Sequence, residues 1–262
     1  MSDVGSLVSF RVGELTIHVF NDRRALGEAA AAHAARRLKD LVAQHQEVSV
    51  LFATGASQME TLRALTSKTD IPWARITGYH MDEYVGLSDR HPASFRRYLR
   101  ERLTDQVPLK CFYPVVGDGP DPEQACSEYA EMLRRSRPQL CLLGIGENGH
   151  LAFNDPAEAD FDDPADVKVV SLDVACRQQQ VNEGWFQSLP EVPGQAITLT
   201  IPTLIRIPEL IVSVPGERKA HIVKRTLEEP ISTKCPATIL RKHPSAELYL
   251  DRESAAELNL AL

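Results

Sequence analysis

The chain predicts an α/β protein built on a doubly wound, mostly parallel sheet flanked by helices, in one domain covering residues 1–262. Three observations carry that expectation. Unbroken β-rich runs such as Val48-Ser49-Val50-Leu51-Phe52-Ala53 read as strands buried on both faces. Such runs alternate with helical segments, as a parallel sheet with crossover helices requires. Glycine- and hydroxyl-bearing loops follow the runs, and in such folds ligands sit outside the carboxyl ends of the strands.

Taken in order, residues 7–12 and 15–20 around Gly13-Glu14 form a small hairpin, and Asn21 or Asp22 then caps a long Ala-rich helix to about residue 44. The strand at 48–53 leads through Thr54-Gly55-Ala56-Ser57 into a helix ending near residue 65. The pattern repeats with a strand near 75–81, a helix near 94–103, a strand at 111–116 and a helix at 122–136. Further strands are expected at 139–143, 167–172, 196–201 and 209–214, with helices near 174–183 and 217–227 and around Cys235-Pro236. Four loops then gather at one edge of the sheet: 54–57, 81–87, 144–156 and 215–219.

Composition excludes several classes of function. A content of 43% hydrophobic residues is ample for a large core, and a net charge of −7 argues against nucleic acid as a partner, because phosphate backbones need a basic surface. Nowhere do about 18 apolar residues run together, and the first thirty residues hold no secretory apolar segment, so no membrane partner and a cytoplasmic location are expected. The five cysteines are scattered without a CxxC pair, and the histidines show no HExxH spacing. Reduced buried thiols, no metal and no cofactor are the expectation.

The richest stretch is LLGIGENGHLAFNDP at residues 142–156. Gly144, Gly146 and Gly149 allow a tight turn and close approach of a ligand, and His150, whose proton is mobile near neutral pH, is followed five residues later by Asp155. A plain turn and a hydrogen-bonded core histidine fit the same residues. Thr54, Gly55, Ala56 and Ser57 offer hydroxyls and free N–H groups to a phosphate, or simply cap a helix. In Met81-Asp82-Glu83-Tyr84 two adjacent carboxylates must diverge, so one faces a ligand while the other serves structure. Ile76 and Val85 nearby suggest burial, hence a carboxylate able to act as a base. Pro215-Gly216-Glu217-Arg218-Lys219 sets two cations at a helix start against the dipole, which suits Lys219 or Arg218 meeting an anion or merely facing solvent.

In order and content these segments resemble the glucosamine-6-phosphate deaminase/isomerase group, related in fold to 6-phosphogluconolactonases and ribose-5-phosphate isomerases. The landmarks are TGAS after VSVLFA, MDEYVGL followed by His91-Pro92-Ala93-Ser94-Phe95, GIGENGHLAFNDP, ITLTIPTL, VPGERKA and residues 237–244, spanning about 13–250. The resemblance implies a phosphorylated amino sugar as small-molecule partner and isomerisation followed by imine hydrolysis, giving fructose-6-phosphate and ammonia. It implies Asp82 as the base between C2 and C1, His150 as the group that opens the pyranose ring, with Asn148 and Asp155 orienting it. Thr54, Gly55, Ala56, Ser57 and Lys219 would grip the phosphate, with Glu83 and Gly146 beside the substrate. Family analogy also suggests a homo-oligomer.

Three departures stand out. Many members carry aspartate where this chain has Asn148 and glutamate where it has Asp155, which points to altered pH dependence rather than lost function. The acidic segment 157–163 replaces a Ser- and Arg-rich stretch, so no activation by N-acetylglucosamine-6-phosphate at that place is expected. The family's second cationic contact has no secure counterpart: Arg177 replaces it, or the run Gln178-Gln179-Gln180 marks another sugar preference or an exposed helix. Two rivals remain, a 6-phosphogluconolactonase-type hydrolase, whose DER-type segment is absent here, and a sugar-phosphate sensor without turnover, which would have no use for both Asp82 and His150.

Overall fold

The computed structural model describes residues 5–260. The chain runs β1 (Val8–Val12), β2 (Leu15–Phe20), α1 (Arg23–Gln44), β3 (Val48–Phe52), α2 (Met59–Thr66), β4 (Ile76–His80), β5 (Asp82–Tyr84), α3 (Phe95–Leu99), β6 (Cys111–Tyr113), α4 (Pro122–Ser136) and β7 (Leu140–Leu143). It continues through β8 (Val167–Ser171), α5 (Val174–Asn182), β9 (Gln195–Leu199), α6 (Ile201–Ile205), β10 (Glu209–Val214), α7 (Ala220–Glu228) and β11 (Ala246–Asp251).

Eight strands form the central sheet in the order β1-β2-β11-β10-β7-β3-β4-β6, parallel throughout except where β1 pairs antiparallel with β2. Side chains alternate across it, as strand geometry demands. Val48, Val50 and Phe52 pack with Leu26, Ala30 and Leu38 of α1 and Leu62 of α2 on one face. Leu51 and Val212 pack with Tyr129 and Leu133 of α4 and Ile222 of α7 on the other. Asp22 caps α1 by accepting from Ala25 N, and Asp121 caps α4 by accepting from Gln124 N, with Pro122 opening that helix.

Two strands expected to extend the parallel sheet do otherwise. β8 and β9 form a separate antiparallel sheet with β5, which was not anticipated. The cause is partial exposure: β8 has half-buried Lys168 and Val169 between buried Val167 and Val170 and ends on exposed Ser171, a pattern a central parallel strand does not show. β11, also unanticipated, fills the middle of the main sheet between β10 and β2. The helix expected near 94–103 is α3 followed by one π-helical turn at Arg100–Thr104, and the Cys235-Pro236 segment is a 3₁₀ helix at Pro236–Lys242. No helix among the described residues is long and apolar enough to cross a membrane.

Candidate active site

Loops after β3, β7 and β10, neighbouring strands in the sheet, meet around a cleft of about 470 Å³. The order reverses here: β4 and β6 continue outward from β3, whereas β10 and β11 continue the other way from β7. Ligands bind at such switch points.

The loops after β3 and β10 are built alike. Gly55 (φ 88°) and Gly216 (φ 93°) take the left-handed region available to glycine, and one 3₁₀ turn, Ala56–Gln58 or Glu217–Lys219, then leads into α2 or α7. N–H groups that open such turns lack a carbonyl one turn earlier and suit an anion. Thr54, Gly55, Ala56, Ser57, Gly216, Arg218 and Lys219 all line the cleft. Lys219 is 7% exposed and donates Nζ to the Ile145 carbonyl at 2.8 Å. Burial pulls its ammonium below the usual range, while the carboxylates of Glu183 and Glu147 pull the other way.

Asp82 enters the cleft from β5, whose antiparallel pairing sets it opposite Thr198 of β9. It is buried, and Oδ1 has no hydrogen-bond partner. Burial first, then the charge of Glu83, push its carboxyl well above the ordinary range. A carboxyl so placed is suited to take a proton from carbon.

Glu83 points to the other side of the strand, outside the cleft lining. Its oxygens accept from Tyr84 N (3.0 Å), Phe95 N (3.2 Å), Arg96 N (3.0 Å), Ser94 Oγ (2.8 Å) and Arg96 Nε (3.2 Å). It therefore anchors β5 to the start of α3 rather than reaching substrate.

His150 lines the cleft with Nδ1 2.9 Å from Oδ1 of the fully buried Asp155. That bond leaves Nε2 for chemistry and fixes the tautomer. Burial pushes the Asp155 carboxyl up, but His150, Asn148 and the Asp173 N–H together hold it below the usual range. Gly146 makes room for the ring: a Cβ there would stand 2.2 Å from Cε1 and Nε2 of His150. Ala152, two residues on, keeps a positive φ of 51° at the cleft wall, local strain of the kind found at functional loops.

The residue pattern of the family described as glucosamine-6-phosphate isomerases/6-phosphogluconolactonase matches residues 21–249. The chain belongs to that family. It is 33% identical over 219 residues to a glucosamine-6-phosphate deaminase of Exiguobacterium sp., covering 84% of each chain. With one from Listeria monocytogenes it shares 34% over 212 residues, covering 81% of this chain and 88% of that one. Among solved structures, a monomeric glucosamine-6-phosphate deaminase superposes with a TM-score of 0.84 at 28% identity, covering 92% of this chain and 99% of that one. A 6-phosphogluconolactonase from Trypanosoma brucei shares the fold, with a TM-score of 0.77 at 18% identity over 96% of this chain and all of that one.

Asn148 does not touch the imidazole ring. Its Oδ1 accepts from the His150 N–H (3.1 Å), and its Nδ2 donates to Asp155 Oδ1 (2.9 Å) and Asp173 Oδ2 (3.1 Å), so it braces the loop and the carboxylate behind the histidine. Arg177 is not brought to the cleft: its Nη2 donates to the carbonyls of Leu189 and Val192. Within the glutamine run, Gln178 is exposed, but Gln179 and Gln180 are buried and line the cleft beside Glu183. Gln179 Oε1 accepts from Glu147 N and its Nε2 donates to Glu183, tying α5 to the loop that carries His150. Arg23 was also missed; it lines the cleft from α1, donates to the Ala56 carbonyl and carries no local motif.

Proposed function

We propose that the protein converts glucosamine-6-phosphate and water into fructose-6-phosphate and ammonia, by aldose–ketose isomerisation followed by hydrolysis of the imine. What supports this reading is that one cleft is lined by the buried Asp82 carboxyl with its unpartnered Oδ1, by an imidazole hydrogen-bonded to Asp155, and by residues 54–57 with Lys219, which suit a phosphate. Relatives at 33–34% identity bear the name of that activity.

The chemistry follows from the division of labour. The cradle and Lys219 hold the phosphate, so its binding energy positions the far carbons. His150, through Nε2, exchanges a proton between the anomeric hydroxyl and the ring oxygen, and the pyranose opens to the aldehyde. Asp82 removes the proton from C2, leaving an enolamine, and delivers it to C1. The resulting imine at C2 takes up water, ammonia leaves, and the ketose remains. The raised Asp82 carboxyl is a stronger base than an exposed aspartate, which suits abstraction from carbon. We place the reaction in the cytoplasm, where the five free thiols stay reduced, and assign it to a single domain.

Asp82→Asn separates this enzyme from a sensor and from a lactonase. Calorimetry with glucosamine-6-phosphate should give an affinity within about threefold of wild type, while ammonia release falls about 10²- to 10⁴-fold. Undiminished turnover in Asp82→Asn, or wild-type protein that hydrolyses 6-phosphogluconolactone and releases no ammonia, overturns the assignment.

A further inference from the structure

Cys176, in the first turn of α5, takes no part in that chemistry. Yet its sulfur, one imidazole nitrogen of His150 and one carboxylate oxygen of Asp155 all lie within 4.8 Å of one another, and all three residues are buried. Nδ1 and Oδ1 of the pair are already 2.9 Å apart. A tetrahedral zinc ion with bonds of about 2.0–2.3 Å separates its ligand atoms by roughly 3.3–3.8 Å, so a small side-chain adjustment would seat one. A sulfur, a nitrogen and an oxygen suit zinc or cobalt and are a poor match for magnesium or calcium, which favour oxygen alone.

The local charge favours a cation. Asp173 stands beside the cluster, its Oδ2 3.1 Å from Asn148 Nδ2, and among the described residues neither Asp155 nor Asp173 forms an ion pair with lysine or arginine. The thiolate is the form of the sulfur that a metal binds, so binding displaces the thiol proton. In the chain, half-buried Asp173 and exposed Val174 and Ala175 precede the buried Cys176.

We propose that His150, Asp155 and Cys176 bind a zinc-class cation, with release of the thiol proton while the neutral imidazole keeps its one ring proton on the nitrogen that does not meet the metal, and that the bound ion turns the enzyme off. A water or the nearby Asp173 would complete four-coordination. The binding stands by itself; the inhibition rests on the deaminase reading above.

Cobalt(II) added to the purified full chain is the probe. One equivalent should give the thiolate-to-cobalt charge-transfer band in wild type and in Cys126→Ser, and no band in Cys176→Ser or Cys176→Ala. Asp155→Asn, which leaves the sulfur in place, should weaken cobalt binding at least tenfold and tests the site even if the Cys176 variants fail to fold. Zinc should lower wild-type ammonia release at least tenfold, reversibly with a chelator, and that of Cys176→Ser less than twofold. No band in folded wild type, a band that persists in Cys176→Ser, or unweakened binding in Asp155→Asn refutes the site. A thiolate band with turnover untouched by metal refutes the switch alone.

Discussion

Asp82 is buried with Oδ1 unsatisfied, an arrangement that costs stability and supplies basicity. The sign of its pH dependence is set by the raised carboxyl. The fold favours the protonated form, so stability present at acid pH is lost as pH rises above the unfolded value near 3.9 toward the higher folded one. Asp82→Asn should therefore melt above wild type at pH 8, by roughly 2–4 °C for each kcal/mol relieved, with the gap closing toward pH 4. Equal melting temperatures at both pH values would refute that cost. That Asp82 and His150 would meet at one cleft was legible because chemistry-bearing side chains follow apolar runs at that end of the sheet. Arg177 was misread because the carbonyls that hold it, Leu189 and Val192, belong to a loop 12 and 15 residues on, which no local pattern places.

At the next scale, β5 presents Asp82, the proposed base, to the cleft while its next residue is fastened elsewhere. Glu83 receives the first N–H groups of α3, the Ser94 hydroxyl and Arg96, and sits at 0% exposure. Burial raises its carboxyl and those donors pull against it. Glu83→Gln removes the charge opposite Arg96 and replaces acceptor lone pairs with donors, so a loss of about 3–5 kcal/mol is expected in urea unfolding, as for broken buried ion pairs. Unchanged urea midpoints would mean that the anchor is dispensable. Alternation of apolar runs and helices was enough to find the main-sheet strands from β1 to β10 and also β8 and β9, but not β11, β5 or the antiparallel pairing of the second sheet. Ala246-Glu247-Leu248-Tyr249-Leu250-Asp251 carries polar residues unlike the apolar run of a central strand, and partners far along the chain, His18 for Glu247 and Gly216 N for Asp251, help to satisfy them. β5 has three residues, too few for any periodicity to declare itself.

For the molecule as a whole, the sheet is closed by contacts between chain ends. Glu247 of β11 lies 3.0 Å from His18 Nε2 of β2 and 3.4 Å from His33 Nδ1 of α1, and it accepts from the Tyr249 hydroxyl at 2.9 Å. Burial pushes its carboxyl up, but His18, His33 and Tyr249 outweigh this and hold it at about 2. For a depressed acid, the stability is present above the unfolded value near 4.5 and is lost as pH falls toward 2. Glu247→Gln should thus melt below wild type at pH 7, with the difference shrinking between pH 4.5 and 2; a gap independent of pH would show that packing, not charge, joins these elements.

The central claim is tested most directly by following ammonia and fructose-6-phosphate from purified protein given glucosamine-6-phosphate, with Asp82→Asn and His150→Gln alongside. The two products should appear one for one in wild type and fall at least about 10²-fold in both variants. A folded wild type that releases neither product, or variants that release both at the wild-type rate, would contradict the account.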